Sequence, residues 1–153
     1  MVAAKAVAFG EALQPEFRDY AAQILKNAKR LADGLMAHGA KLVTNGTDNH
    51  LLLVDCVTSW GIPGGEAEKL LDSVHITLNK NMIADDPRPA MDPSGIRMGT
   101  PAITTRGMKE PEMDAIVEFI LRAVKAKGDD HALAALRNDV TNFCRRFPVP
   151  GIA

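Results

Sequence analysis

At 153 residues, with 46% hydrophobic and 24% charged side chains, the chain has the bulk and balance of one globular domain with one sizeable core. Eighteen basic against nineteen acidic residues leave a formal net charge of −1, which excludes a sequence-independent nucleic-acid binder, since that function needs a basic face. No apolar run approaches the roughly 18 residues of a membrane span, and Met1-Val2-Ala3-Ala4-Lys5 has neither the basic nor the apolar region of a signal peptide. Cys56 and Cys144 match no metal or redox spacing and read as reduced thiols, so the expected compartment is the cytoplasm.

Taken in order, Val2 to Leu13 is alanine-rich and helical in character, with nothing before it that resembles a cap. Pro15 interrupts, and a second helix is predicted over Glu16 to His38, with Gly39 as its left-handed stop. Phe17, Ala21, Ile24, Ala28, Leu31 and Leu35 alternate spacings of four and three, which is a packing seam. Lys41 to Thr44 reads as a strand followed by the turn signal Asn45-Gly46. Leu51 to Asp55 is a continuous apolar run, the pattern of a strand buried on both faces. Gly61 to Gly65 breaks the chain, Glu66 to Asp72 can form a short helix, and His75 to Leu78 reads as another strand. Asn79 to Ser94 contains Pro87, Pro89 and Pro93 and has no periodicity; loops beyond about 12 residues are uncommon inside a compact domain and tend to carry function.

Thr100 and Pro101 have the chemistry of an N-cap and a first helical residue. Pro111 opens a helix whose apolar face is Met113, Ile116, Ile120 and Val124, stopping near Gly128. Asp129 or Asp130 caps a last helix with Leu133, Leu136, Val140 and Phe143 or Cys144 inward, ended by Pro148. Helices, then short strands, then helices predict an α+β fold: a small, mainly antiparallel sheet covered by helices.

The segment Ser94-Gly95-Ile96-Arg97-Met98-Gly99-Thr100-Pro101-Ala102 carries the chemistry. It sets one arginine on a short apolar strand between two glycines, at the end of the proline-rich loop. A guanidinium is always charged and offers a fork of donors that matches a carboxylate or phosphate at two points. Inside an apolar run it must pair with an anion or reach water. Asn79-Lys80-Asn81 adds polar donors that could face the same cleft. These residues point to an anion-recognition site without defining a reaction; the competing reading is an internal ion pair with a carboxylate of the same fold.

Other candidates have plainer explanations. His38 falls at a helix C-terminus, where a cation is favoured. His131 lies in a first helical turn, and His75 has no partner in sequence. Asp48-Asn49-His50 matches no metal spacing, and Asp48 and Asn49 suit a turn. Ser94 lacks a nucleophile-elbow context, no phosphate-cradling GxGxxG or Walker sequence occurs, and Met82, Met91 and Met98 suit gap filling.

Thr47-Asp48-Asn49-His50-Leu51, Asn79-Lys80-Asn81, Asp86-Pro87-Arg88-Pro89 and Ser94-Gly95-Ile96-Arg97 to Thr100-Pro101-Ala102 stand in the order seen in serine hydroxymethyltransferases. The chain resembles the C-terminal portion of that family from about Ala3 onward. The resemblance implies the small domain of the pyridoxal-phosphate-dependent aspartate-aminotransferase fold (fold type I). Residues 1–39 would be linking helices to a large domain, their uncapped start fitting a helix that continues from it, and 40–153 the C-terminal small domain. It implies interconversion of serine and glycine, with tetrahydrofolate carrying the one-carbon unit, in a homo-oligomer. Arg97 would bind the amino acid's carboxylate, Asn81 the folate pteridine, and Pro89, Ala90 and Met91 would line the folate site. Asp92-Pro93 departs from the family's more usual Val-Thr. The Thr-rich segment ending in His-Lys, which supplies the cofactor's lysine in the family, is not in this sequence, and Lys5, Lys41 and Lys80 lack that setting. The chain alone is therefore expected to be inactive. The alternatives are a truncated, non-catalytic binding or oligomerisation module that keeps the anion site, and a purely structural scaffold.

Overall fold

A computed structural model of the chain describes residues 2–151. Helix α1 (Val2–Ala12) has no buried residue, and Val2, Val7 and Phe9 are all more than half exposed. Helix α2 (Pro15–Ala37) begins on Pro15 itself, whose missing N–H costs nothing at that position. Its seam is real from Ile24 onward, through Ala28, Leu31 and Leu35, whereas Phe17 at the upper end is exposed. Gly39 stops the helix as expected: its φ is +85°, its N–H donates to Met36, and that of Ala40 to Leu35.

The sheet has four strands in the order β1-β2-β4-β3, with every neighbouring pair antiparallel. The fold is α+β, as the element order predicts. Strand β1 is only Lys41–Leu42; the expected remainder turns into a 3-10 helix over Val43–Asn45, with Thr44 at φ +64°. Strand β2 is Leu51–Asp55, and it corrects the expectation of burial on both faces. Leu52 and Val54 are buried beneath the helices, while Leu51, Leu53 and Asp55 are half-buried on the other side. Among the described residues, helices cover one face of the sheet and leave the other open.

The short helices α3 (Cys56–Trp60) and α4 (Gly64–Ser73) follow. The strand expected over His75 to Leu78 is absent. Instead α4 closes with its C-terminal cap there: the His75 N–H donates to Asp72 and that of Ile76 to Leu71, with His75 at φ +65°. The left-handed position is filled by histidine rather than glycine, so the usual stop signal is missing from the sequence. Strand β3 is Asn79–Asn81 at the sheet edge, and β4 is Gly95–Gly99 in the interior.

Three helices complete the chain: α5 (Pro101–Thr105), α6 (Glu110–Lys125) and α7 (Asp130–Arg145). Helix α6 buries Met113, Val117, Ile120 and Ala123 among α2, α4 and α7, a face rotated slightly from the expected one. Asp129 is the cap of α7, accepting from the Ala132 N–H at 3.0 Å. Thr100 does not cap α5 with its side chain; its buried hydroxyl donates instead to the Ile24 carbonyl of α2 at 2.9 Å. Beside it, buried Asn27 donates to Thr104 Oγ1 at 2.8 Å and to the Met108 carbonyl at 2.9 Å. Among the described residues no helix is long and apolar enough to cross a membrane.

Gly64 is the most tightly enclosed of the described glycines. A Cβ added there would lie 2.7 Å from the Gly95 carbonyl carbon, with nothing flexible to yield. Gly64→Ala is expected to destabilise the chain by roughly 3 kcal/mol in urea unfolding. Gly10→Ala in α1, where a Cβ meets nothing within 4 Å, should be neutral or gain about 0.5–1 kcal/mol.

Candidate functional site

Side chains alternate across a strand, so Gly95, Arg97 and Gly99 share the open face of β4. Arg97 lies opposite Asn79 on one side and Leu53 on the other. Its side chain is exposed, and Nη2 donates to Asn79 Oδ1 at 3.3 Å. The ion pairs among the described residues are Arg30–Asp114, Arg88–Asp92, Arg122–Asp139 and Lys127–Glu66, so no internal carboxylate claims this guanidinium. The competing reading of a buried internal ion pair does not hold.

The two glycines serve different ends. A Cβ at Gly95 would lie 2.7 Å from Ile83 Cγ2, so the space it leaves is already taken by that side chain. Gly99 borders an open recess of about 410 Å³ formed by His50, Leu51, Thr77, Leu78, Asn79 and Arg97. A second, apolar cleft of about 320 Å³ lies on the helical side, where Phe119, Phe143 and Met108 meet; its guanidinium, Arg106, already donates to the carbonyls of Phe147 and Cys144. The recess beside Arg97 is where an anion can approach the fork.

Asn81 lies one pleat along β3, opposite Gly95 and on the same face as Arg97, with its Nδ2 donating to the Met82 carbonyl at 2.7 Å. Pro89, Ala90 and Met91 are exposed, and none borders the recess. They form an exposed crest tied to β3 by Lys80 Nζ, which donates to the Met91 carbonyl at 2.7 Å. The structure thus brings Arg97, Asn79 and Asn81 onto one face and ties residues 89–91 to Lys80, which alternates with the two asparagines and leaves β3 on the other face.

The irregular stretch between β3 and β4 is closed at its neck by a residue whose role the sequence did not announce. Asp86 accepts from the Ser94 hydroxyl at 2.7 Å, and from the backbone N–H groups of Ser94 at 2.9 Å, Arg88 at 2.9 Å and Ile83 at 3.2 Å. Loss of solvent around the carboxyl tends to raise its pKa, but these hydrogen bonds together outweigh it and hold the group at about 2. The only sequence signal was an aspartate before a proline, followed eight residues later by a serine.

The remaining polar residues behave structurally. Asn49 Oδ1 accepts from the Leu51 N–H at 2.9 Å, which is a turn role. His38 Nδ1 meets the Gly34 carbonyl at 2.9 Å and His75 Nδ1 meets Thr141 Oγ1 at 3.1 Å. Burial, with the neighbouring Asp55 charge, pushes the Cys56 thiol up to about 12, so it is no nucleophile. Among the described residues no group of three or more histidine, cysteine or acidic side chains could hold a metal.

The chain is thus an α+β domain that presents on an open sheet face an arginine paired with no carboxylate among the described residues. Comparison with known proteins names the lineage. The family model for serine hydroxymethyltransferase matches residues 1–120, and the chain belongs to that family. It is 49% identical over 151 residues to a serine hydroxymethyltransferase of Acidobacterium capsulatum, covering 99% of this chain and 35% of that protein. It is 48% identical to the one of Xanthomonas oryzae pv. oryzae, covering 99% of this chain and 36% of that protein. The chain thus spans about a third of the length of these curated relatives.

The depressed Asp86 pKa sets a pH dependence. The group's ordinary value is 3.8, so its stabilising contribution is complete above that pH and is lost as pH falls through 3.8 towards about 2. Acid titration of urea stability should show this limb in the unaltered chain. Asp86→Asn should flatten it and lower stability at neutral pH.

Proposed function

We propose that the chain is the C-terminal portion of a serine hydroxymethyltransferase that interconverts serine and glycine with tetrahydrofolate as the one-carbon carrier. In this reading Arg97 binds the amino acid's carboxylate. The observation that carries it is the exposed guanidinium beside an open recess, paired with no carboxylate among the described residues. Asn79 Oδ1 steadies the fork from the β3 side and leaves its other N–H groups for a bidentate carboxylate. Two-point capture fixes the amino acid's orientation, which is a positioning contribution to catalysis. Asn81, on the same face, is assigned to the folate pteridine, and Pro89, Ala90 and Met91 to the lining of the folate site. Residues 1–39 link to a large domain in this reading, and the exposed apolar side chains of α1 suit burial against it or within a cytoplasmic homo-oligomer.

The residues present do not fit pyridoxal phosphate. Lys5 lies on exposed α1, Lys41 Nζ donates to Asn45 Oδ1, and Lys80 Nζ is spent on the Met91 carbonyl. None of the three lines the recess beside Arg97, so holding the cofactor falls to the rest of the protein. Mixing the chain with pyridoxal phosphate and serine should give no stoichiometric change in absorbance and no cleavage of serine. A full-strength absorbance change abolished by one Lys→Ala substitution would refute this.

Calorimetric titration with glycine or serine tests the carboxylate site. The unaltered chain should bind, and Arg97→Gln should weaken binding about 10- to 100-fold, the loss expected for a charge-assisted pair. Arg97→Lys should recover only part, because an ammonium lacks the fork. Equal heats for all three proteins, with only thermal stability altered, would make the domain a scaffold.

A further inference from the structure

The crest formed by Pro89, Ala90 and Met91 presents an unusual problem. Its side chains are exposed, with Met91 80% accessible, so packing does not hold its shape. Its order comes from ties made around it. Arg88 Nε donates to the Asp92 carbonyl at 3.0 Å, and Arg88 Nη2 forms an ion pair with Asp92 Oδ2, so one guanidinium bridges both ends of the crest. The Asp92 N–H donates back to the Pro89 carbonyl at 2.9 Å, closing a turn inside that bridge. Lys80 Nζ takes the Met91 carbonyl from the strand side.

Asp92 is also the point where the crest meets the rest of the fold. Its Oδ1 lies over Gly65, where an added Cβ would come within 2.8 Å of it. That places a carboxylate at the N-terminal end of α4, where the helix dipole favours negative charge. The adjoining Pro93 carbonyl accepts from the Gly64 N–H at 2.8 Å. Position 92 is one of the two at which this chain departs from the Val-Thr more usual in the family; a valine would keep the backbone carbonyl that accepts from Arg88 Nε, but its side chain could neither form the ion pair nor answer the helix end.

We propose that Arg88 and Asp92 form a clasp that holds residues 89–91 as a preset platform, making Asp92 a positioning residue for the ligand contacts of that segment. The ligand half of this statement rests on the folate reading above; the clasp itself does not. An exposed ion pair adds little to global stability, so its effect is local order: the crest is held open and shaped before any ligand arrives. A segment shaped in advance spares the ligand the entropic cost of ordering it on binding.

Amide hydrogen exchange on the ligand-free chain tests the clasp directly. Asp92→Asn and Arg88→Gln should each speed exchange across 88–92 about tenfold, with the global unfolding midpoint unchanged. The double variant should exchange no faster than Arg88→Gln alone, because that substitution already removes the ion pair that Asp92→Asn removes. Unchanged exchange, or effects that multiply in the double variant, would overturn the clasp. Titration with tetrahydrofolate tests positioning: Asp92→Asn should weaken it about fivefold while leaving glycine affinity unaltered. Unchanged tetrahydrofolate affinity, or equal loss for both ligands, would overturn the positioning role. If the unaltered chain takes up no tetrahydrofolate, the folate reading fails on that point alone, and exchange still decides the clasp.

Discussion

The contact of α4 with the start of β4 governs the rest of the molecule. Gly64 sits against Gly95 with no room for a Cβ, and its N–H holds the Pro93 carbonyl at 2.8 Å. The Cys56 N–H takes the next carbonyl, that of Ser94, at 3.0 Å, and Asp86 takes both the N–H and the hydroxyl of Ser94. Three elements therefore grip residues 93–95 from different sides. Because a one-residue slip of a strand would turn every side chain to the opposite face, this grip decides that Ile96 and Met98 enter the core and that Arg97 stays out.

A similar logic explains why the loop between β3 and β4 needs no secondary structure. Its neck is tied by one carboxylate that accepts four hydrogen bonds, and its crest by one guanidinium that donates to both the backbone and side chain of Asp92. Polar side chains standing in for a backbone ladder are the usual way a long segment keeps its shape without burying apolar surface.

The helices were legible because their stripes and stops obey simple spacing: Ile24 to Leu35 in α2, Gly39 after it, Asp129 before α7. The strand misplaced onto His75 to Leu78 shows the opposite. Ile76 and Leu78 alternate inward as in a strand, yet they line the core as extended chain, and pairing starts only at polar Asn79. A histidine in a left-handed cap gives no sequence warning. Arg97 was legible as a charge within an apolar run, because that juxtaposition is costly unless used. Which face it occupies was not, since Leu51 to Asp55 reads as doubly buried while the chain itself covers only one side. Asp86 was missed because its four donors, three backbone N–H groups and the Ser94 hydroxyl, are brought together only by the fold.

One further feature bears on how the domain can move. The Thr100 hydroxyl is fastened to Ile24 of α2, Asn27 of the same helix reaches Thr104 and Met108, and Thr100 is the residue that directly follows β4. The long helix and the arginine strand are thus bolted together through buried polar joints, which resist shear because each would leave an unsatisfied group if it slid. The guanidinium travels with that helix as one rigid unit. Its height above any facing surface is set by where the far end of the helix is anchored, as the reach of a crane is set at its mast.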